Sequence, residues 1–277
     1  MNKKIFGLIL VVFIALVIAL IPKNELQDLF GKKIDEPVFI KSLIYSECMD
    51  AELHYIAPSG YSKSINSISI PNAPKGSDCN FYNDHKESKS KYDLVTVYFG
   101  IGFDDWNEET GIGESLEIDK LLVTWDDGTK TLVDIGNITI VSSMDSISKE
   151  KQQYNHMQMS GTNDTWTAKC TLGKDTNILG ISFPFEEEIS KTFKDITINN
   201  IPIEEISIDN PVSIKSGKEC VVQYTCDRDS KTLYGEINVR AFIIGITDGK
   251  RDKIAEFSFY RDISSFESVN SYLQLSN

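Results

Sequence analysis

The chain has 277 residues, with 28 lysines and arginines against 41 aspartates and glutamates, for a net charge of −13 at neutral pH. That balance repels phosphate backbones and anionic lipid headgroups, which argues against nucleic acid as a partner and gives weak preference to basic partners or divalent cations. A hydrophobic share of 41%, rich in Ile, Val, Phe and Tyr, argues against a disordered chain.

Ile5 to Pro22, IFGLILVVFIALVIALIP, carries no charge over 18 residues. An α-helix needs about that length to cross roughly 30 Å of hydrocarbon. Lys3 and Lys4 precede the run, so a cleaved signal peptide competes with an uncleaved anchor. The run exceeds the usual h-region of about 7–15 residues, however, and no small-x-small cleavage site follows it. The reading adopted is a transmembrane signal anchor over 5–22, a cytoplasmic tail over 1–4 and a juxtamembrane linker over 23–37. The rest of the chain then lies outside the cytoplasm at the cell membrane, and secretion after cleavage is the alternative. Within the linker, Asn24 to Gly31 reads as a short helix capped by Asn24 and stopped by Gly31.

Beyond Pro37 the pattern is mainly β, and it predicts an antiparallel β-sandwich or jelly-roll-like ectodomain. VFIKSLIYS and AELHYIA, within 38–57, read as extended. Residues 58–91 read as a long loop, with only Ile68 to Ile70 as a strand. Tyr92 to Phe103 alternates on both faces and reads as a central strand. An acidic loop follows, and then SLEIDKLLVTW, whose change of apolar phase predicts a bulge near Asp119 and Lys120. Asp126, Asp127 and Gly128 predict a hairpin turn, with the return strand starting at Thr129. Residues 144–160 are the one candidate helix of the ectodomain, with a polar loop as the competing reading. Further strands follow over WTAKCTL, ILGISFPF, FKDITINNIPI and EEISI. A boundary near Asp209 to Pro211 divides a β-sandwich domain over 38–204 from a β region over 205–277, either a second small domain or the remainder of the same sandwich. SYLQLS, near the C-terminus, reads as a closing strand.

Five cysteines in an exported chain suggest two disulfides and a leftover thiol. Cys48 with Cys79 is the local option, and Cys170 can meet Cys220 or Cys226 across strands. Cys220 and Cys226 share one predicted strand and lie too far apart to pair with each other. Reduced core cysteines are the competing reading.

Candidate chemistry is sparse. Asp105, Asn107 and Glu109 have the alternate spacing of oxygen ligands in a calcium loop, but Thr110 occupies the place of the usual glycine and Leu116 that of the closing glutamate. Trp106, Tyr61 and Tyr82 are aromatic candidates for a ligand or sugar platform. Glu186 to Glu188 with Asp227 and Asp229 could supply paired carboxylates, although pairs are expected by chance in so acidic a chain. His54, His85 and His156 match no zinc spacing, and no GxSxG or catalytic triad pattern is present. No catalytic residue is assigned, and calcium is the one cofactor considered. The expectation is a membrane-anchored binding or interaction module with a protein or glycan partner outside the cell. Alternatives are a carbohydrate-binding or glycan-processing surface protein and a structural envelope component.

Overall fold

The computed structural model describes residues 33–46, 50–71, 77–89, 91–103, 115–141, 157–162, 164–227, 230, 232–262 and 272–273. The expected anchor, the linker helix, the acidic loop after Phe103 and most of the helix candidate at 144–160 lie outside these residues. Among the described residues no helix is long and apolar enough to cross a membrane.

The first half contributes β1 (Val38–Phe39), β2 (Ser42–Ser46), β3 (Asp50–Pro58), β4 (Ile65–Ser69), β5 (Ser77–Lys89), β6 (Tyr92–Phe103), β7 (Ser115–Trp125) and β8 (Lys130–Val141). Then come β9 (Gln158–Thr162), β10 (Thr165–Thr171), β11 (Thr176–Ser182), the helix α1 (Glu186–Thr192), β12 (Phe193–Ile198) and β13 (Ile201–Pro202). The last strands are β14 (Val212–Ile214), β15 (Glu219–Cys226), β16 (Glu236–Thr247) and β17 (Lys250–Arg261). They form several sheets, none closed into a barrel. One has the order β1-β3-β6-β5, and a second β13-β12-β15-β10-β9. The largest runs β14-β11-β16-β2-β8-β7-β4, with β17 on the other side of β16.

β6 is central as expected: Leu94, Val95, Thr96 and Val97 are all buried, so both of its faces are covered. The bulge in β7 falls between Ile118 and Lys120. In the hairpin after it, the Trp125 N–H donates to the Thr129 carbonyl (2.8 Å) and Gly128 takes φ 81°, open to glycine at little cost.

The strand expected over EEISI gives way to a 3-10 turn at Ile203–Glu205, and three further expectations are corrected. The polar stretch at 77–89 is strand, paired with β6 along its length. β5 is the outer strand of its sheet and leaves His85 to Ser88 exposed, so it needs no apolar alternation, and its charged side chains discourage pairing with another chain. The architecture is also not purely antiparallel, because β2 runs parallel to both β8 and β16. That pairing brings Gly136 (φ 93°) so close to β2 that a Cβ there would overlap the Ser42 carbonyl oxygen. Finally, Tyr272 and Leu273, read as part of a closing strand, are helical and buried. The Tyr272 hydroxyl accepts the Lys41 N–H (2.8 Å) and faces the Phe39 carbonyl (3.3 Å).

Two main cores lie on the large sheet. One packs Ala168, Val222 and Tyr224 of the second sheet against Ile178, Val239 and Phe259. The other packs Leu53, Tyr55, Val95 and Val97 of the first sheet against Leu121, Val123, Trp125 and Ile138. A smaller cluster of Ile40, Ile56, Tyr92, Leu94 and Leu273 covers part of the first sheet's other face.

Candidate functional site

The alternation that sends Leu53 and Tyr55 into the core turns Glu52 and His54 the other way. On the adjacent strands Thr96 lies opposite both His54 and His85, so the three form a row across β3, β6 and β5. Tyr98 lies opposite Glu52 in the next row. The facing wall comes from the start of β16, with Glu236 and Asn238, and from the end of β17, with Tyr260 and Asp262 after it. Between them is a cleft of about 220 Å³.

His54 is at its floor, with only 6% of its side chain exposed. Its Nδ1 meets the Glu236 carboxylate in an ion pair that ties the first sheet to the large one. Its Nε2 lies 3.5 Å from the Glu52 carboxylate. Glu236 is held from behind by the Ser42 hydroxyl, 3.4 Å from its other oxygen. Burial favours neutral His54, but Glu236, with Glu52 and Asp262 farther off, outweighs it and raises the imidazole above its ordinary 6.5. Burial likewise pushes the Glu236 carboxyl above its usual 4.5 against the pull of His54, with Asp262 and Glu52 adding to the rise. Burial and the same three acids push the Tyr260 hydroxyl up to about 12. The folded chain therefore holds a proton in the cleft more tightly than separate His and Glu side chains would.

Four carboxylates line the cleft, those of Glu52, Glu87, Glu236 and Asp262. The one arginine at its edge, Arg261, is partly engaged elsewhere, through Nη1 to the Ser230 hydroxyl at 3.0 Å. The arrangement can accept a cationic group by hydrogen bonds to carboxylates in a partly dry site, where such bonds are stronger than in water.

Most of the sequence candidates are not gathered here. Tyr61 sets its ring edge-on to Trp125 at 5.9 Å and is half-buried against the second core. Tyr82 lies on β5 opposite Tyr98, whose own side chain is 38% exposed at the cleft. Asp105, Trp106, Asn107, Glu109 and Cys48 lie outside the described residues. Glu186 to Glu188 form the first turn of α1, where their charge suits the helix N-terminus, and Glu187 pairs with Lys191 at 2.6 Å. Asp227 is paired with Lys194. Among the described residues no group of three or more His, Cys, Asp or Glu side chains is arranged to hold a metal ion. Cys170 and Cys220 stand directly opposite each other on β10 and β15, both as buried free thiols, while Cys79 is half-buried on β5. Sequence reasoning missed Glu236 altogether and set His54 aside with the scattered histidines. The available signal was local: a charged Glu-x-His pair inside a strand otherwise made of core residues.

No protein-family model matches the chain, and no curated protein matches it in sequence. Among solved structures it is similar to a protein of unknown function from Porphyromonas gingivalis W83, at 9% identity over 82% of this chain and 96% of that one, with a TM-score of 0.25. It is also similar to the N-terminal periplasmic domain of ScsB from Proteus mirabilis, at 8% identity over 82% and 92% of the two chains, with a TM-score of 0.22. Likenesses this weak carry no argument about function.

Proposed function

We propose that this chain is a membrane-anchored, extracytoplasmic binding module that takes a basic group of a partner protein, a lysine ammonium or an arginine guanidinium, into the cleft around His54. The anchor and the location rest on the uncharged run at 5–22 and the basic residues before it. The ligand class rests on one observation: a cleft between two sheets lined by four carboxylates, with a buried imidazole among them whose hold on its proton those acids strengthen. An incoming cation would take over the role of that proton.

The test is a thermal-shift screen of the full chain in detergent against short peptides tipped with lysine or arginine. Each is paired with its acetyl-lysine or citrulline counterpart, which keeps the shape and loses the charge. A ligand that binds only the native state must raise the melting temperature. The reading predicts a rise with charged tips that the neutral counterparts do not give and that Glu52→Gln with Asp262→Asn removes. Equal shifts from charged and neutral tips would refute it.

A further inference from the structure

The second sheet carries a pair of cysteines that the cleft does not involve. Cys170 on β10 and Cys220 on β15 are register partners in an antiparallel ladder. The register is pinned on both sides of them: the Leu172 N–H donates to the Lys218 carbonyl (3.0 Å) and the Cys226 N–H to the Asp164 carbonyl (2.7 Å). Residue pairs alternate in type along such a ladder. Cys170 and Cys220 fall at the same phase as these two, where Cα atoms stand about 5.5 Å apart. A disulfide requires roughly 4.4–6.8 Å, most often near 5.5–6 Å. Both side chains turn into the first core, at 3% and 0% exposure. Cys226 lies six residues farther along β15, about 20 Å from Cys220 at the rise of a strand, and is out of reach of this pair.

We propose that Cys170 and Cys220 form a cross-strand disulfide when the chain folds in an oxidising compartment. The proposal rests on the extracytoplasmic reading for the oxidant, and on register alone for the partners. One of the two, taken as Cys170, begins the exchange as the thiolate. Its sulfur attacks a disulfide of the oxidant, either a thiol oxidoreductase or glutathione disulfide, and expels one thiolate. Cys220, giving up its proton, then displaces the second. Two thiols of the chain are oxidised, one disulfide of the oxidant is reduced to two thiols, and two protons leave the chain. Because both sulfurs end up buried, the exchange belongs to folding, before the sheet is covered. The bond encloses about 50 residues, including β11, β12, β14 and α1, so it constrains the segment that passes between the two sheets.

The experiment compares two samples of the full chain. One is taken from cells into alkylating reagent and mapped by mass spectrometry without reduction. The other is reduced, denatured and refolded in a glutathione redox buffer before the same mapping. The expected result in both is a peptide linked through Cys170 and Cys220, and a melting temperature that falls by about 5–10 °C on reduction. Cys226→Ser should keep the link, and Cys170→Ser should leave Cys220 open to alkylation in the denatured chain. Linkage in the refolded sample alone would uphold the pairing and refute the location outside the cytoplasm. Alkylation of both cysteines in both samples, or linkage of Cys170 to any other cysteine, would overturn the proposal.

Discussion

His54 is a buried imidazole between two acids, and the sign of its effect on stability follows from that. Its folded pKa is raised, so its contribution is fully present below the unfolded value near 6.5 and is lost as pH rises through the folded value. Glu236 is shifted the same way, so its share begins to fall once pH passes 4.5. Melting temperature should therefore decline as pH rises above about 6.5, the ordinary value of a histidine. Glu236→Gln should flatten that decline and lower stability by about 3 kcal/mol, since it leaves one member of a buried pair without its counter-charge. Urea melts at pH values below and above 6.5 check this. Little of the pair was legible in the sequence. His54 carries no spacing motif, and Glu236 sits about 180 residues away, in a strand whose placement depends on the parallel pairing of β2.

Elements were read well where both faces, or one face and a turn, left a chemical mark. β6, the bulge in β7 and the turn at Gly128 follow from apolar alternation and turn residues. β5 was read as loop because an outer strand with exposed side chains meets no demand for an apolar face, and its pairing with β6 is set by backbone hydrogen bonds that any residue can supply. α1 was missed because seven residues are too few to show a helical period.

Two glycines with similar backbone angles separate turn chemistry from close packing. Gly128→Ala has open space for the new Cβ and should cost about 1–2 kcal/mol from the positive φ alone. Gly136→Ala meets the Ser42 backbone as well and should cost more than about 4 kcal/mol, or prevent folding. Denaturant titration of the two variants side by side is the measurement, and equal costs would refute the close approach of β8 to β2.

For the whole molecule, strands from both halves of the chain are interleaved. β11 pairs with β14 and β16, β12 with β15, and β2 with β16. A chain ending at residue 204 would lose β14 to β17 and one wall of the cleft together. It should fail to give the near-ultraviolet dichroism and sharp melting of the longer protein; an independently folded 38–204 segment would contradict the pairing. The mainly β class could be read from strand spacing, whereas the branching of the large sheet at β16 could not, because it depends on which distant strands meet.

The cleft joins these scales, since the imidazole that ties two sheets together also occupies the place proposed for a ligand's positive charge. As pH rises and His54 gives up its proton, Glu236 and Glu52 lose its counter-charge, so affinity for a cation should rise over the range in which stability falls. The direct measurement is calorimetric titration of the full chain with a lysine- or arginine-tipped peptide across about pH 6 to pH 8.5 in buffers of different ionisation enthalpy. The account predicts tighter binding with rising pH, by up to about tenfold per unit, with proton release on binding and loss of both effects in Glu236→Gln. Affinity that is flat or falls with pH, or a neutral-tipped peptide that binds as well as the charged one, would contradict it.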